Sequence, residues 1–361
     1  MENEILISII IPVYNAGKYL DKLLSDVTNQ TYQNLEIVVI NDGSNDESPQ
    51  ILEDFSKKDA RIKVISVKNG GVSKARNIGI DNANGKLIRF VDADDRVPLN
   101  STEYLAEAFD KNIELAIGNF IPIPRVPIFT GEEISEQVYN STALIEKFAG
   151  CPRTYYFGVL WNKMYVTDII KRNGVRFRPQ YEWCEDLLFN MEYFNYVHNV
   201  CAINKPEGIY VYATKVTDSL TDKIEKNEEQ YNRIERERYG ILYEYFKNYG
   251  LEEKFRLEWE NVNLYYRITK LVKRSDNTDS LNLRYKRFLS VISKEDTYRY
   301  LENKKSDYGN FVKGILLFGI KYKMYHCLFI FFILKGKVSF ILGKNAKRVK
   351  KVLGIKVPLD Y

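Results

Sequence analysis

The chain has 361 residues, 45% hydrophobic and 28% charged, ordinary for a soluble globular protein and long enough for two or three domains. Its four cysteines (Cys151, Cys184, Cys201, Cys327) are scattered with no Cys-x-x-Cys pair, which excludes a zinc ribbon or a disulfide scaffold and reads as reduced thiols. The net charge of +5 is uneven: from Phe311 to Tyr361 eleven basic residues face Asp360 alone, an excess of ten that leaves the first 310 residues at −5. The basic character belongs to a C-terminal tail and says little about the core. An acidic start (Met1-Glu2-Asn3-Glu4) before a seven-residue apolar run is unlike a secretory leader, so no targeting segment is expected.

Residues 5–13 form a near-continuous apolar run, as a central strand buried on both faces does. Residues 18–29 space Tyr19, Leu20, Leu23, Leu24 and Val27 at helical intervals. A second strand over 35–40 stops at the turn signal Asn41-Asp42-Gly43-Ser44, and 46–56 reads as helix. A third strand (61–67), a third helix (71–82) and a fourth strand (86–91) follow, the last running straight into Asp92-Ala93-Asp94-Asp95. This alternation predicts an α/β fold with a mostly parallel, doubly wound, Rossmann-like sheet, and such sheets bind ligands beyond the carboxyl ends of their strands. Tyr14, Asn15, Asp42, Asn69 and the acidic cluster all fall at that edge.

Residues 114–218 are mixed, and the three prolines of 121–127 exclude helix or central strand there, leaving an extended connector. From 221 to 310 the chain is charged, Tyr-rich and nearly free of Gly and Pro, the pattern of a helical domain. The expected organisation is therefore 1–220, a helical 221–310 and a basic, hydrophobic tail over 311–361.

Two phosphate-binding motifs are absent. The turn after the first strand, Pro12-Val13-Tyr14-Asn15-Ala16-Gly17, is not Gly-x-Gly-x-x-Gly, and Gly79 to Gly85-Lys86 has the wrong spacing for a P-loop, with Leu87 where a hydroxyl should bind magnesium. The acidic cluster offers different chemistry. On a continued pleat Asp92 and Asp94 point to one side, where they repel unless a divalent cation shared with substrate phosphates neutralises them. Taken alone, an Asp-rich turn is more readily an exposed loop.

Four strings change that balance: Ser8 to Asn15 (SIIIPVYN), Ile40 to Ser44 (INDGS), Asn69 to Gly79 (NGGVSKARNIG) and Phe90 to Asp95 (FVDADD). In this order and spacing they resemble glycosyltransferase family two, with the GT-A fold. The resemblance implies an inverting transfer of a sugar from a nucleotide donor, most commonly a UDP-sugar, to a hydroxyl of a glycan, wall-polymer or lipid-linked acceptor. It implies that Pro12, Val13 and Tyr14 line the base pocket, Asp42 accepts from uracil or ribose, Asn69 and Arg76 complete the nucleotide site, Asp92 and Ala93 meet the ribose, and Asp94 holds Mn²⁺ or Mg²⁺ on the diphosphate. Trp183-Cys184-Glu185-Asp186 resembles the family's Glu-Asp motif, giving Asp186 as catalytic base with Glu185 second; both are also ordinary first-turn helix residues. Trp161 and Lys163, in Trp161-Asn162-Lys163-Met164-Tyr165, resemble an acceptor-side motif, against a plain reading as a Trp packed on the sheet.

In the tail the longest uncharged run is 324–334, 11 residues against the ~20 that a spanning helix needs. Aromatic apolar segments flanked by lysines suit an interfacial helix on an anionic membrane surface, which would put the protein in the cytoplasm, peripheral to the inner face of the membrane. The alternative is a helix buried in the chain's own core or in a homo-oligomer interface. No nucleic-acid motif accompanies the charge. The rival function is a catalytically silent GT-A-like module partnering another transferase; a nucleotidylyltransferase is disfavoured by the missing Gly-rich N-terminal loop.

Overall fold

The computed structural model describes residues 5–109, 112–123, 131, 134–152, 154–181, 183–213, 228–260, 280–292, 315, 318–331 and 333–334. The chain divides into two compact units, 1–255 and 256–361.

The first unit is built on an eight-stranded sheet, parallel in one half and mixed in the other. Its parallel half follows the sequence pattern closely: β1 (Ile7–Val13), α1 (Gly17–Thr28), β2 (Leu35–Asn41), α2 (Ser48–Lys58), β3 (Ile62–Ser66), α3 (Val72–Asn82) and β4 (Leu87–Phe90). Ile7, Ile9, Ile10 and Ile11 of β1 are all fully buried, as a central strand covered by helices requires. Ser8 is the polar exception, and it is satisfied: its hydroxyl donates to Glu36 on β2 and accepts from the Gly85 N–H at 2.9 Å. Gly79 sits where α3 crosses β1. A Cβ there would lie 2.3 Å from Ile10 Cγ2, so this glycine serves helix-to-sheet packing and not a turn.

The chain winds outward from β1 to β2 and β3, then returns to place β4 on the other side of β1. That reversal opens a crevice at the carboxyl ends of β1 and β4, the usual ligand position in open α/β sheets. After α4 (Ser101–Glu107) and β5 (Leu115–Gly118) the sheet becomes mixed. β7 (Gln137–Asn140) runs antiparallel to β9 (Asn199–Ile203), β9 is parallel to β5, and β8 (Lys163–Val166) runs antiparallel to both β4 and β5. Between them lie α5 (Ser141–Gly150), α6 (Tyr155–Gly158), α7 (Thr167–Arg172) and α8 (Glu185–Phe194). An α/β fold with a mostly parallel sheet is thus borne out.

The proline-rich connector needs correction over its first residues. Phe120–Ile123 is a strand, β6, paired in parallel with β10 (Tyr210–Ala213) in a separate two-stranded sheet. Pro122 is tolerated because β6 has one strand neighbour, so its missing N–H breaks no second ladder. Residues 124–127 lie outside the described ones. Helix Glu228–Lys247 and a helix over 252–260 follow.

In the second unit, helix Leu281–Ile292 packs Phe288 and Ile292 against Ile320, Leu328 and Phe329. No helix among the described residues is long and apolar enough to cross a membrane.

Candidate active site

The site assembles where four loops leave the carboxyl edge of the sheet and α8 faces them. Beyond β1, Pro12 is half-buried, Val13 buried, and Tyr14 stands 55% exposed. Asn15 turns the chain with φ 50°, its N–H donating to Ser44 Oγ (3.0 Å) and its Oδ1 accepting from the Asn45 N–H (2.9 Å). The β1 and β2 loops are thereby locked together.

Asp42, past the end of β2, is buried, and both its carboxylate oxygens are engaged: Oδ1 by the Gly70 N–H (2.8 Å) and Oδ2 by the Gly71 N–H (2.9 Å). Asn69 Nδ2 donates to the Asp42 carbonyl at 3.0 Å. Gly43 (φ 74°) and Gly71 (φ 87°) take left-handed backbone conformations that L side chains rarely adopt. Asp42 therefore shapes the Asn69-Gly70-Gly71 turn that opens α3.

Arg76, one turn into α3, is the hub. The residue is 3% exposed, and its guanidinium makes three ion pairs: Nη2 to Asp92 (2.9 Å), Nη1 to Glu185 (3.0 Å) and Nη1 to Asp186 (2.6 Å). Its face lies 5.4 Å from the centre of the Phe177 ring. Burial works against the charge, but Asp186, Asp92 and Glu185 together hold it more firmly than an exposed arginine's. One cation thus joins the carboxyl end of β4 to the first turn of α8, motifs more than ninety residues apart in sequence.

The acid turn divides its labour. Asp92 faces Arg76. The Asp94 carboxyl is pushed up to about 6, by burial first and by Asp92 second. Ala93 is nearly covered between them. Asp95 is buried and structural, accepting the Ala213 N–H at 3.0 Å. Burial first, then Asp94 and Asp92, raise its carboxyl well above the usual range. The fully buried Tyr210 lies beneath the turn: its Oη accepts the Asp92 N–H (3.1 Å) and hydrogen-bonds Asp95.

A divalent cation beside Asp94 would relieve both the burial and the repulsion that raise its carboxyl. Among the described residues no three His, Cys, Asp or Glu side chains form a metal-holding group. Asp94, with Asp92 acting on it, offers the one or two carboxylates that an ion such as Mg²⁺ or Mn²⁺ takes when phosphate oxygens and water complete its shell.

At α8, Cys184 is the N-cap in a left-handed conformation (φ 66°, ψ 14°), which swings Glu185 and Asp186 toward Arg76. Burial, with Glu185 and Asp92 adding and Arg76 opposing, holds the Asp186 carboxyl well above the ordinary carboxylate range. A base needs that shift to compete for a hydroxyl proton near neutral pH.

Trp161 and Lys163 do not reach the surface. Lys163 is fully buried, its ammonium donating to the carbonyls of Tyr156 (2.8 Å) and Val159 (2.5 Å) and to Asn162 Oδ1 (2.9 Å). Trp161 stacks on Tyr210 at 4.4 Å and on Tyr212 at 5.3 Å. Any contribution they make to an acceptor side passes through the loops they pin. Sequence reasoning missed Tyr210, Tyr212 and Phe177; the Tyr-Val-Tyr alternation of 210–212 is the signal that one strand face carries two rings.

A model of glycosyl transferase family 2 matches residues 8–168. An uncharacterized glycosyltransferase of Haemophilus influenzae is 30% identical over 261 residues, covering 70% of this chain and 78% of that one. The uncharacterized glycosyltransferase EpsJ of Bacillus subtilis is 31% identical over 228 residues, covering 60% of this chain and 63% of EpsJ, so the chain spans less than two thirds of that relative's length. The crystal structure of S. aureus TarS 1-349 in complex with UDP-GlcNAc shares the fold with a TM-score of 0.59 at 19% identity, over 93% of this chain and 92% of that one.

Proposed function

The chain belongs to glycosyl transferase family 2, and from that premise we propose that it is an inverting, metal-dependent glycosyltransferase moving a sugar from a UDP-sugar to a hydroxyl of a glycan, wall-polymer or lipid-linked acceptor. One observation carries the reading: Arg76 ties Asp92 of the acid turn and Asp186 of α8 to a single guanidinium. Candidate donor and base carboxylates therefore meet at one side chain. A donor of the kind bound in the TarS complex would lie against the exposed Tyr14 and the loops braced by Asp42 and Asn69.

Asp94 would hold Mn²⁺ or Mg²⁺, which when bound neutralises negative charge on the diphosphate. The other work belongs to side chains of this chain. Tyr14 offers a ring to the base, while Asp92, fixed by Arg76 and by Tyr210 under its amide, faces the ribose. Asp186, its carboxyl raised by burial, takes the proton of the attacking acceptor hydroxyl. Attack from the α8 side, opposite the departing diphosphate, inverts the anomeric centre and requires one carboxylate base.

The test is hydrolysis and transfer from a panel of nucleotide sugars with Mn²⁺ or Mg²⁺. Asp94→Ala is expected to lose metal-dependent UDP binding. Asp186→Asn is expected to bind UDP as wild type does and to lose transfer by at least ~100-fold, the lower range for general-base removal. Full transfer by Asp186→Asn would move the base elsewhere. Wild-type protein that binds UDP but never turns over would favour the silent binding module.

A further inference from the structure

Asn77, beside Arg76 on α3, has no part in that mechanism. Its side-chain amide closes a two-way pair with the backbone of Phe177: Nδ2 donates to the Phe177 carbonyl (2.8 Å) and Oδ1 accepts the Phe177 N–H (2.9 Å). Phe177 belongs to neither helix nor strand. A chain that crosses the protein without a ladder needs side-chain partners for its backbone groups, and here one asparagine supplies both. The flanking Arg176 and Arg178 reach Asp81 of α3 and Glu192 of α8, but these ion pairs are open to solvent and hold little.

The pair fixes a buried ring. Phe177 is 2% exposed, and its ring stacks on Phe189 of α8 with 4.3 Å between centres and 8° between planes. It meets Phe90 of β4 edge to face at 5.4 Å, and it carries the Arg76 guanidinium. Phe189 stands three positions beyond Asp186 on the same helix, and Phe90 two before Asp92. One ring thus touches the helix that bears Asp186, the strand that leads into the acid turn, and the arginine that joins them.

Asp186 depends on this contact more than Asp92 does. Asp92 follows a strand of the parallel sheet directly, and its N–H is held by Tyr210. The body of α8 is also secured elsewhere: Asn190 accepts from Tyr165 and donates to the Gly158 carbonyl, and Tyr193 Oη accepts the Val166 N–H. Its first turn is different. The N-cap Cys184 makes no side-chain cap hydrogen bond, so the placement of that turn falls to the segment that enters it, and Asn77 ties that segment down at Phe177.

We propose that Asn77 is a positioning residue: through Phe177 it sets the first turn of α8, and with it Asp186, against Arg76. The inference rests on Asp186 acting as the base, but the clasp has a readout apart from turnover.

The experiment uses the full chain labelled with 5-fluorotryptophan and the variants Asn77→Ala, Asn77→Asp, Phe177→Leu and Asp186→Asn, with Asn77→Ala also placed on Asp186→Asn. UDP binding is followed by calorimetry, and turnover by release of UDP from UDP-glucose and UDP-N-acetylglucosamine with Mn²⁺. Expected for Asn77→Ala and Phe177→Leu is UDP affinity within about twofold of wild type and kcat lower by at least about tenfold, since a displacement of ~1 Å can cost ~100-fold. On Asp186→Asn, Asn77→Ala should cost nothing further, because both act on one step. The fluorine signal of Trp183, assigned with Trp183→Phe, should move in Asn77→Ala while those of Trp161 and Trp259 stay. Asn77 is half-buried, so its truncation leaves the core intact; should Asn77→Ala not fold, the isosteric Asn77→Asp, which lacks the donor to the Phe177 carbonyl, decides by the same measurements. The proposal is overturned if Asn77→Ala turns over like wild type, if its UDP affinity falls in parallel with kcat, if it costs the same factor on Asp186→Asn as on wild type, or if the Trp183 signal does not move. Full turnover by Asp186→Asn defeats the base reading instead, and the Trp183 signal still judges the clasp.

Discussion

Arg76 Nη1 lies 2.6 Å from Asp186 Oδ1, the shortest of the three ion pairs its guanidinium makes. The arginine is almost wholly buried, so it is the main compensation for three carboxylates that would otherwise face one another across the crevice. Removing one partner of a buried ion pair costs about 3–5 kcal/mol, because the charge left behind is uncompensated. Arg76→Met is expected to lose that much stability by urea titration at pH 8, and less at pH 5, where the stranded Asp186 carboxyl, raised by burial, takes up a proton. Arg76→Lys should recover only part, since an ammonium cannot fork to Asp92 and Asp186 together. A loss below ~1 kcal/mol would mean that the carboxylates are solvated well enough without it.

Asp94 gives a pH dependence of determined sign. Its carboxyl rises from an ordinary 3.8 to about 6 on folding. Between these values the native state binds more protons than the unfolded one, so stability falls as pH rises through the window and stays lower above it. Asp94→Asn removes this liability. Without metal the variant should be more stable than wild type at pH 8, by on the order of 1 kcal/mol after allowing for solvent screening, and equal to it near pH 3.5. Saturating Mn²⁺ should reverse the order at pH 8, because only wild type gains from binding. Denaturation midpoints with and without Mn²⁺ check both halves.

The parallel half of the sheet and the residues at its edge were legible because they are local. Ile7 to Val13 needs only its own composition to announce a buried strand, and turn chemistry marks Asp42 and Asp92 as strand ends. The resemblance gives Asp42 to uracil or ribose; its hold on the Gly70 and Gly71 amides was not legible, because that contact exists only once β2 and β3 lie side by side. Arg76 is read from the sequence as a nucleotide residue, and the carboxylates it joins lie up to 110 positions from it. Tyr210 and Trp161 were opaque for the same reason. Their service to the acid turn depends on β6 pairing with β10, a long-range contact that proline composition argued against.

Cys184 stores strain two residues before the proposed base. A non-glycine residue at φ 66° costs on the order of 1 kcal/mol, and a β-branched one more. Cys184→Gly should therefore be neutral to slightly stabilising, the relief being offset by the freedom glycine gains in the unfolded chain. Cys184→Val should lose more than ~1 kcal/mol and turn the first turn of α8 away from Arg76. The discriminating measurement is paired: urea midpoints for stability, and UDP-sugar turnover for the placement of Asp186. Valine tolerated in both would show that the αL turn is not needed.

The apolar residues of the tail divide between core and surface. Ile320, Leu328 and Phe329 are consumed in a core with Phe288 and Ile292, while Phe318, Tyr322, Met324, Ile330 and Leu334 are exposed beside Lys321 and Lys323. Deleting 311–361 would strip the partners of Phe288 and Ile292 and confound membrane binding with unfolding. The sharper variant is Phe318→Ser with Ile330→Ser, which spares that core. If the proposed peripheral attachment is right, wild type sediments with phosphatidylglycerol vesicles in low salt and less so at 0.5 M salt, where surface charge is screened. The double variant should then bind at least about tenfold more weakly, as loss of two inserted apolar side chains implies. Equal sedimentation of both proteins, or none by wild type, would assign the exposed residues to another contact.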